Sequence, residues 1–267
     1  MIRNVLSIAG SDPSGGAGIQ ADLKAFAARG VYGMAALTAL TAQNTRGVTG
    51  VQAVTPDFVA QQIGAVFADI RVDAVKIGMI ANAGIADAVA DVLSEHRDIP
   101  IVLDPVMIAK GGAPLLAPEA VQVLSRRLLP LATLVTPNLP EAAALLGEAP
   151  AEGREGMAGQ ASRLLALGPK AVLVKGGHLE RGDSPDVLVT ADGVRWFEAA
   201  RVATANTHGT GCTLSSALAA ELAKGADIGE AVAAAKAYLL GAIAAASDLS
   251  VGTGHGPVQH FHALWTR

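Results

Sequence analysis

The sequence predicts a three-layer α/β protein: a central, mostly parallel sheet with helices on both faces. Three observations carry this reading. Short apolar or β-branched runs alternate along the chain with longer stretches whose apolar residues recur at helical spacing. The short runs are apolar throughout, as strands covered on both faces are. No Ser/Pro-rich tract, charge block or internal repeat divides the 267 residues, so residues 1–267 read as one domain.

"NVLSIAG" is the first strand, and Ile19, Leu23 and Phe26 then mark one helix face. "MAALTALTA" reads as a second apolar strand, and "TRGVTGVQAV" (45–54) as irregular or β-ribbon structure. Pro56 opens a helix with Val59, Ile63, Val66 and Ile70 on one stripe. "AVKIGM" is a strand, "AGIADAVADVLSEH" a helix and "IPIVLDPV" a strand, followed by a helix marked by Val121, Leu124 and Leu128. "TLVTPN" and "KAVLVKGG" are strands, with "PEAAALLG" helical after the first. "DVLVTADG" and "VRWFEAARV", split by Asp192-Gly193, form a hairpin. The last third is mostly helix. In such sheets ligands bind beyond the carboxyl ends of the strands. The residues there are Ser11, Asp12, Gln43, Asn44, Gly78, Met79, Asp104, Thr136 to Asn138, and Lys175 to His178. That polar rim suits a phosphate-bearing ligand.

Apolar residues make up 51 % of the chain and aromatics only 3 %, so Ala, Val and Leu must fill the core. A net charge of −4 without a basic stripe argues against nucleic acid as a partner. The single cysteine, Cys212, excludes an internal disulfide framework and fits a reducing, cytoplasmic setting. Mean hydropathy is +0.40, which raises the question of a membrane span. Lys236 interrupts the most apolar stretch, "AVAAAKAYLLGAIAAAS", and the uninterrupted apolar run 237–246 is shorter than the roughly 20 residues a span needs. A buried helix is the better reading. The apolar run in "MIRNVLSIAGSD" is too short for a signal peptide.

Five motifs carry candidate chemistry. Gly16-x-Gly18-x-x-Ala21 resembles a dinucleotide fingerprint, but no carboxylate follows at the required distance; a tight turn is the plainer reading. "GTGCT", Gly209 to Thr213, opens a helix, and its glycines would aim free N–H groups at one point, an anion site without the lysine of a Walker loop. Cys212 sits in that turn, where a helix N-terminus is expected to favour thiolate. A nucleophile, a base, a redox sensor and a small apolar filler are all open roles for it. Asp104, Glu141 and Asn138 offer oxygen ligands of the kind that hold hydrated Mg²⁺ beside phosphates, although Glu141 after Pro140 could simply stabilise a helix start. His255, His260 and His262 crowd "GHGPVQHFH", but Gly256-Pro257 breaks any helix that would align them for zinc.

Taken together, "SIAGSDPSGGAGIQADLKAF", "YGMAALTALTAQNT", "VKIGM", "VLDPVM", "VTPNLPEA", "VKGGH", "NTHGTGCTLSSALAAELA" and "GHGPVQHFHALW" resemble the hydroxymethylpyrimidine/phosphomethylpyrimidine kinases of thiamine biosynthesis. The resemblance spans nearly the whole chain in order. Pro13 departs from the serine more usual in the family. The resemblance implies the ribokinase-like fold, ATP and Mg²⁺ as cosubstrate and cofactor, and a homodimer. It also implies successive phosphorylation of 4-amino-5-hydroxymethyl-2-methylpyrimidine to the monophosphate and the pyrophosphate. Most ribokinase-like enzymes place an aspartate base after Gly-Ala-Gly; here Gly209-Thr210-Gly211 precede Cys212, as in pyrimidine and some vitamin B6 kinases. The chemistry of phosphoryl transfer agrees: Lys175 is expected to contact ATP phosphates, and Asp104 and Glu141, with Asn138 nearby, to hold hydrated Mg²⁺. By the resemblance Gln43 and Asp22 read the ring nitrogens and amino group, and Met79 and Val106 pack on the ring. A basic or donor group should hold the incoming monophosphate, and His208 is assigned to it. A vitamin B6 kinase is the nearest rival, disfavoured by "TAQNT", and a non-catalytic pyrimidine sensor is the rival from another class.

Overall fold

In the computed structural model, residues 1–107, 117–178 and 183–265 are described. The elements run β1 (Asn4–Ala9), α1 (Gly18–Ala28), β2 (Tyr32–Leu37), β3 (Ala39–Asn44), β4 (Gly47–Ala53), α2 (Pro56–Asp69), β5 (Ala74–Ile77) and α3 (Ala83–Leu93). Then come β6 (Ile101–Leu103), α4 (Pro118–Val123), β7 (Leu134–Val135), α5 (Leu139–Leu146), α6 (Gly153–Leu165) and β8 (Ala171–Lys175). The chain ends with β9 (Asp186–Thr190), β10 (Gly193–Phe197), α7 (Thr210–Ala223) and α8 (Ile228–Ala244). Strands order as β10-β9-β8-β7-β6-β5-β1-β2, and β3 and β4 form a separate two-stranded ribbon.

From β2 to β8 all neighbours are parallel; β8, β9 and β10 are antiparallel, which makes the expected hairpin. After β1 the chain goes to β2 on one side and returns to β5 on the other. That reversal opens a crevice at the carboxyl end of β1, the usual ligand position in such sheets. The sheet buries both faces. Leu6, Ile8, Val75, Ile77 and Leu103 pack with α2, α3, α5 and α6, while Val5, Ala74, Val102 and Leu173 pack with α1, α7 and α8. The period of two along a strand makes this division.

Three expectations change. "MAALTALTA" is two strands, because the chain breaks at Thr38, whose buried hydroxyl donates to the Met79 carbonyl at 2.6 Å. Beyond it β3 leaves the sheet and pairs with β4. The helix marked by Val121, Leu124 and Leu128 turns from α into a π-type turn over Leu124–Leu128. Helix α6, absent from the sequence reading, packs Met157, Ala161 and Leu164 inward, with Gln160 in a core position.

Candidate active site

A cleft of about 1760 Å³ opens beyond the carboxyl ends of β1, β5, β6 and β8. Single small-molecule sites run to roughly 1,000 Å³, so there is room for two ligands side by side. Every site residue expected from the sequence lines it except Asp22.

At its centre lies the start of α7. Gly209 precedes the helix with φ 77°, a left-handed conformation that glycine adopts freely, and no side chain caps the helix. A Cβ on Gly209 would also stand 1.7 Å from the Gly16 carbonyl oxygen, so no other residue fits. The uncapped N-terminal N–H groups and the helix dipole face the cleft, which makes a site for anionic oxygens. A Cβ at Gly211 would be 3.4 Å from Asp104 Oδ2 and 3.5 Å from Lys175 Nζ, so this turn lies directly against the charged residues of β6 and β8.

Those residues form one cluster. Lys175 Nζ donates to Asp104 Oδ1 at 2.9 Å and lies 3.9 Å from Glu141 Oε2. Asn138 and Glu141 make a reciprocal cap at the start of α5: Glu141 N–H donates to Asn138 Oδ1 at 2.9 Å, and Asn138 N–H to Glu141 Oε2 at 2.8 Å. The helix-stabilising role of Glu141 is therefore real, and its carboxylate still faces the cleft. Burial pushes the Glu141 carboxyl up to about 7; Lys175 pulls it down and Asp104 pushes it further up. Burial opposes the charge on Lys175, but Asp104 and Glu141 together raise its pKa. Two carboxylates thus face one ammonium, an excess negative charge that suits a divalent cation held through waters and phosphates. The side-chain oxygen of Asn138, one of the residues expected at the metal, also serves the cap, with one of its two lone pairs. Among the described residues no three His, Cys, Asp or Glu side chains converge as a metal cage. His260 of the C-terminal histidine group bonds Thr213 at 3.0 Å, and His262 lies against the Tyr238 ring.

Cys212 corrects one expectation. Burial pushes its thiol up to about 11; Asp22 and Asp104 push the same way, against Lys76 and an N–H from Gly18. Burial, with the charges of Asp22 and Asp104 adding to it, keeps the resting group a thiol and not a thiolate.

Asp22 is the second correction. Its side chain is 0 % exposed and cannot touch a ring in the cleft. Lys76 Nζ donates to both its oxygens at 2.9 and 2.8 Å, and Ser7 and Ser216 donate to it at 2.6 and 2.7 Å. Burial works against the charge on Lys76, but Asp22, Cys212 and Asp104 raise its pKa. This network forms the floor beneath Cys212. The sequence carried one signal for it: a lysine within the otherwise apolar "AVKIGM", a buried strand position that demands a partner.

His208 is also committed elsewhere. Its Nε2 lies 2.7 Å from Asp12 Oδ2, and Oδ1 of that carboxylate accepts from Ser14 N–H and Oγ–H. Burial opposes the charge on Asp12, but His208 and Ser14 hold its carboxyl down to about 2. The Nε2 proton expected for a monophosphate is therefore given to Asp12, a residue that the sequence placed on the rim without a role. Ala199–Thr204 and Leu239, Leu240 and Ile243 of α8 also line the cleft, residues for which the sequence pointed to no role. Lys236, which interrupts the apolar run of α8, is buried against Asp186; Asp186 also accepts the Gly176 N–H, next to Lys175. Among the described residues no helix is long and apolar enough to cross a membrane.

Comparison with known proteins agrees with this geometry. A phosphomethylpyrimidine kinase family profile matches residues 12–259. The chain is 56 % identical to the hydroxymethylpyrimidine/phosphomethylpyrimidine kinase of Salmonella typhimurium and 55 % identical to that of Escherichia coli, in each case over 98 % of both chains. Among solved structures, it superposes on the ADP complex of Bacillus subtilis pyridoxal kinase with a TM-score of 0.90 at 37 % identity, covering 98 % of this chain and 99 % of that one. The phosphomethylpyrimidine kinase of Clostridium difficile gives 0.81 at 45 % identity, covering 90 % and 99 %.

Proposed function

The chain belongs to the phosphomethylpyrimidine kinase family, and from that premise we propose that it performs the two kinase steps of pyrimidine activation in thiamine biosynthesis. ATP phosphorylates the hydroxymethyl oxygen of 4-amino-5-hydroxymethyl-2-methylpyrimidine, and then the resulting monophosphate. The observation that carries this reading is the convergence of the Gly209–Cys212 turn, Lys175, Asp104 and Glu141 on one cleft.

Each transfer forms one P–O bond to the acceptor and breaks the bond from the γ-phosphorus to its bridging oxygen, releasing ADP. Such reactions need positioning and charge neutralisation more than covalent help. N–H groups of Thr210, Gly211 and Cys212 bind the transferring phosphoryl oxygens, and Lys175 neutralises the nucleotide phosphates. Asp104 and Glu141 fit hydrated Mg²⁺, and the bound ion supplies further charge neutralisation on the phosphates. Met79 and Val106 pack on the pyrimidine and Gln43 bonds its edge, while the part of the cleft lined by Ala199–Thr204 and α8 takes the nucleobase.

The two steps differ at the acceptor. The alcohol must lose a proton; Cys212 as thiolate takes it at Sγ, and with a pKa of about 11 the thiolate is a minor species near neutral pH. The monophosphate oxygen is already anionic and needs no base. The enzyme acts in the cytoplasm as a homodimer; exposed Leu40 and Val51 on the β3–β4 ribbon and Phe58 in α2 supply apolar surface for a second copy.

Separate incubations with Mg²⁺-ATP and the alcohol, the monophosphate or pyridoxine, with products identified by mass, test the reading. The expected products are monophosphate and pyrophosphate from the first two, with pyridoxine turned over more slowly. Absence of turnover on both pyrimidines would overturn it. Sedimentation of the same preparation reads the oligomer.

A further inference from the structure

The histidine-rich stretch that the sequence could not align for zinc meets the Gly209 turn instead. One planar trans peptide joins Gly209 to Thr210, so its carbonyl and its N–H point in opposite directions. The Gly209 carbonyl points along α7: Thr213 donates to it twice, from its N–H at 2.8 Å and from its Oγ1 at 2.8 Å. The Thr210 N–H therefore points out of the helix start, where its contact within the chain is a long 3.5 Å to the Thr207 carbonyl. Whatever holds the Thr213 hydroxyl thus aims the first donor of the anion site.

That holder is His260. Its Nε2 lies 3.0 Å from Thr213 Oγ1, and both side chains are buried. The hydroxyl proton is committed to Gly209, so Oγ1 offers His260 a lone pair and Nε2 carries the proton. Burial pulls the imidazole pKa down to about 4, and the charge of Lys24 adds to this, so near neutral pH the ring is uncharged and has one N–H to give. The segment that carries His260 is tied down at both ends of the turn. Ahead of it, His208 N–H donates to the Gly256 carbonyl at 3.1 Å, and His208 pairs with Pro257 in a parallel bridge. Behind it, two groups of α8 hold the segment: the Tyr238 hydroxyl donates to the His260 carbonyl at 2.9 Å, and the Ala242 carbonyl accepts the Gln259 N–H at 2.9 Å. Residues 256–260 thus run as a strap from His208 to Thr213, the two residues that flank the Gly209–Cys212 turn, with α8 as anchor.

We infer that His260 is a positioning residue for phosphoryl transfer: through the Thr213 hydroxyl it fixes the Gly209 carbonyl along α7 and so keeps the Thr210 N–H aimed at the phosphoryl group in transfer. The inference rests on the reading of the Gly209–Cys212 turn as the binder of that group. The turn serves the transferred phosphoryl and not the acceptor, so loss of His260 slows both transfers alike, unlike loss of Cys212.

The test uses the wild type, His260→Leu, His260→Gln, Thr213→Val and the double variant His260→Leu/Thr213→Val. It reads both transfers, and it reads Mg²⁺-ADP affinity in the presence of the alcohol, with and without aluminium fluoride as a mimic of the phosphoryl group in transfer. His260→Leu should lower kcat about tenfold for alcohol and monophosphate alike, the value of one hydrogen bond. KM for the alcohol should stay within about twofold, because the contact is made in the transition state. The aluminium fluoride complex should bind about tenfold more weakly, and Mg²⁺-ADP alone within about twofold of the wild type. His260→Gln, whose amide N–H takes the place of Nε2–H, should restore most of both losses. Thr213→Val should show the same pattern, which keeps the inference testable should His260→Leu fold poorly. The double variant should be no worse than the poorer single one, since both break one chain of contacts. Losses that multiply in the double variant overturn the inference, as does a loss that His260→Gln fails to restore. If aluminium fluoride does not tighten ADP binding even in the wild type, the phosphoryl-binding reading of the turn is wrong; if it does and neither single variant weakens the complex, only the positioning role fails.

Discussion

Lys76 and Lys175 stand near the carboxyl ends of two parallel strands, β5 and β8, and each binds an aspartate. Their surroundings make them opposites. The Lys76–Asp22 pair is 0 % exposed on both sides, and Ser7 and Ser216 fill the remaining acceptor positions of the carboxylate. It is balanced and sealed. The Lys175–Asp104 pair opens to the cleft, and Glu141 adds an uncompensated carboxylate. One lysine–aspartate unit is closed off as the floor under Cys212. The other is left short of positive charge, which is what a metal–nucleotide complex completes.

Breaking the sealed pair should have the largest effect. Lys76→Met leaves a buried, unpaired carboxylate, and urea unfolding should show a loss of about 3–5 kcal/mol. Adding Asp22→Leu should recover at least half of it, since an apolar pair can replace a buried ion pair. A double variant no better than the single would mean that the pair is not the balanced unit described.

The open pair should instead reveal itself through pH. Glu141 has a folded-state pKa raised to about 7 from an ordinary value near 4.5. Its stabilising contribution is thus fully present below about 4.5 and is lost as pH rises through 7. Without divalent cation, this group makes the protein less stable at pH 8 than at pH 6, and Mg²⁺ with ADP should abolish the difference. The same ionisation sets metal binding: apparent Mg²⁺ affinity should fall as pH drops below 7, by up to about tenfold per unit. Glu141→Gln should weaken binding at pH 8 and flatten the pH dependence; calorimetry with Mg²⁺-ADP reads both. A pH dependence that survives the substitution would remove Glu141 from the metal site.

The smallest effect belongs to Asn138, assigned to the α5 cap. Asn138→Ala should cost about 1 kcal/mol in thermal or urea unfolding. Mg²⁺ affinity should barely move; a loss as large as that of Glu141→Gln would place Asn138 among the ligands.

The same contrast explains what the sequence revealed. Residues whose chemistry is displayed on loops after strands were legible: Asp104, Lys175, and the Gly209–Cys212 turn all lie where the order of strands and helices places them. Residues whose role depends on a partner far along the chain were not. Asp22 reads as a polar residue on a helix until Lys76, 54 positions away, is seen beside it. Asp12 and His208 are separated by 196 positions and meet at 2.7 Å. Cys212 was misjudged for a similar reason, because local sequence displays the helix terminus but not the burial of the thiol or the charges of Asp22 and Asp104 that add to it. The fold was legible wherever apolar periodicity was strong. It failed at Thr38, where an unbroken apolar run hides a strand break, and in α6, where Gln160 and three glycines dilute the stripe.

The central claim is that Cys212 serves the acceptor of the first transfer only, while the Lys175 cluster serves both. Single-turnover rates for the alcohol and the monophosphate, measured across pH 6.5 to 9, test it most directly, because their ratio cancels whatever the shared cluster contributes. With the thiol at about 11, the thiolate fraction and the ratio of first to second rate should climb about tenfold per pH unit in the wild type. The ratio should be low and flat in Cys212→Ala and should keep its wild-type slope in Lys175→Met. A ratio that is flat in the wild type, or unchanged by Cys212→Ala, would contradict the account.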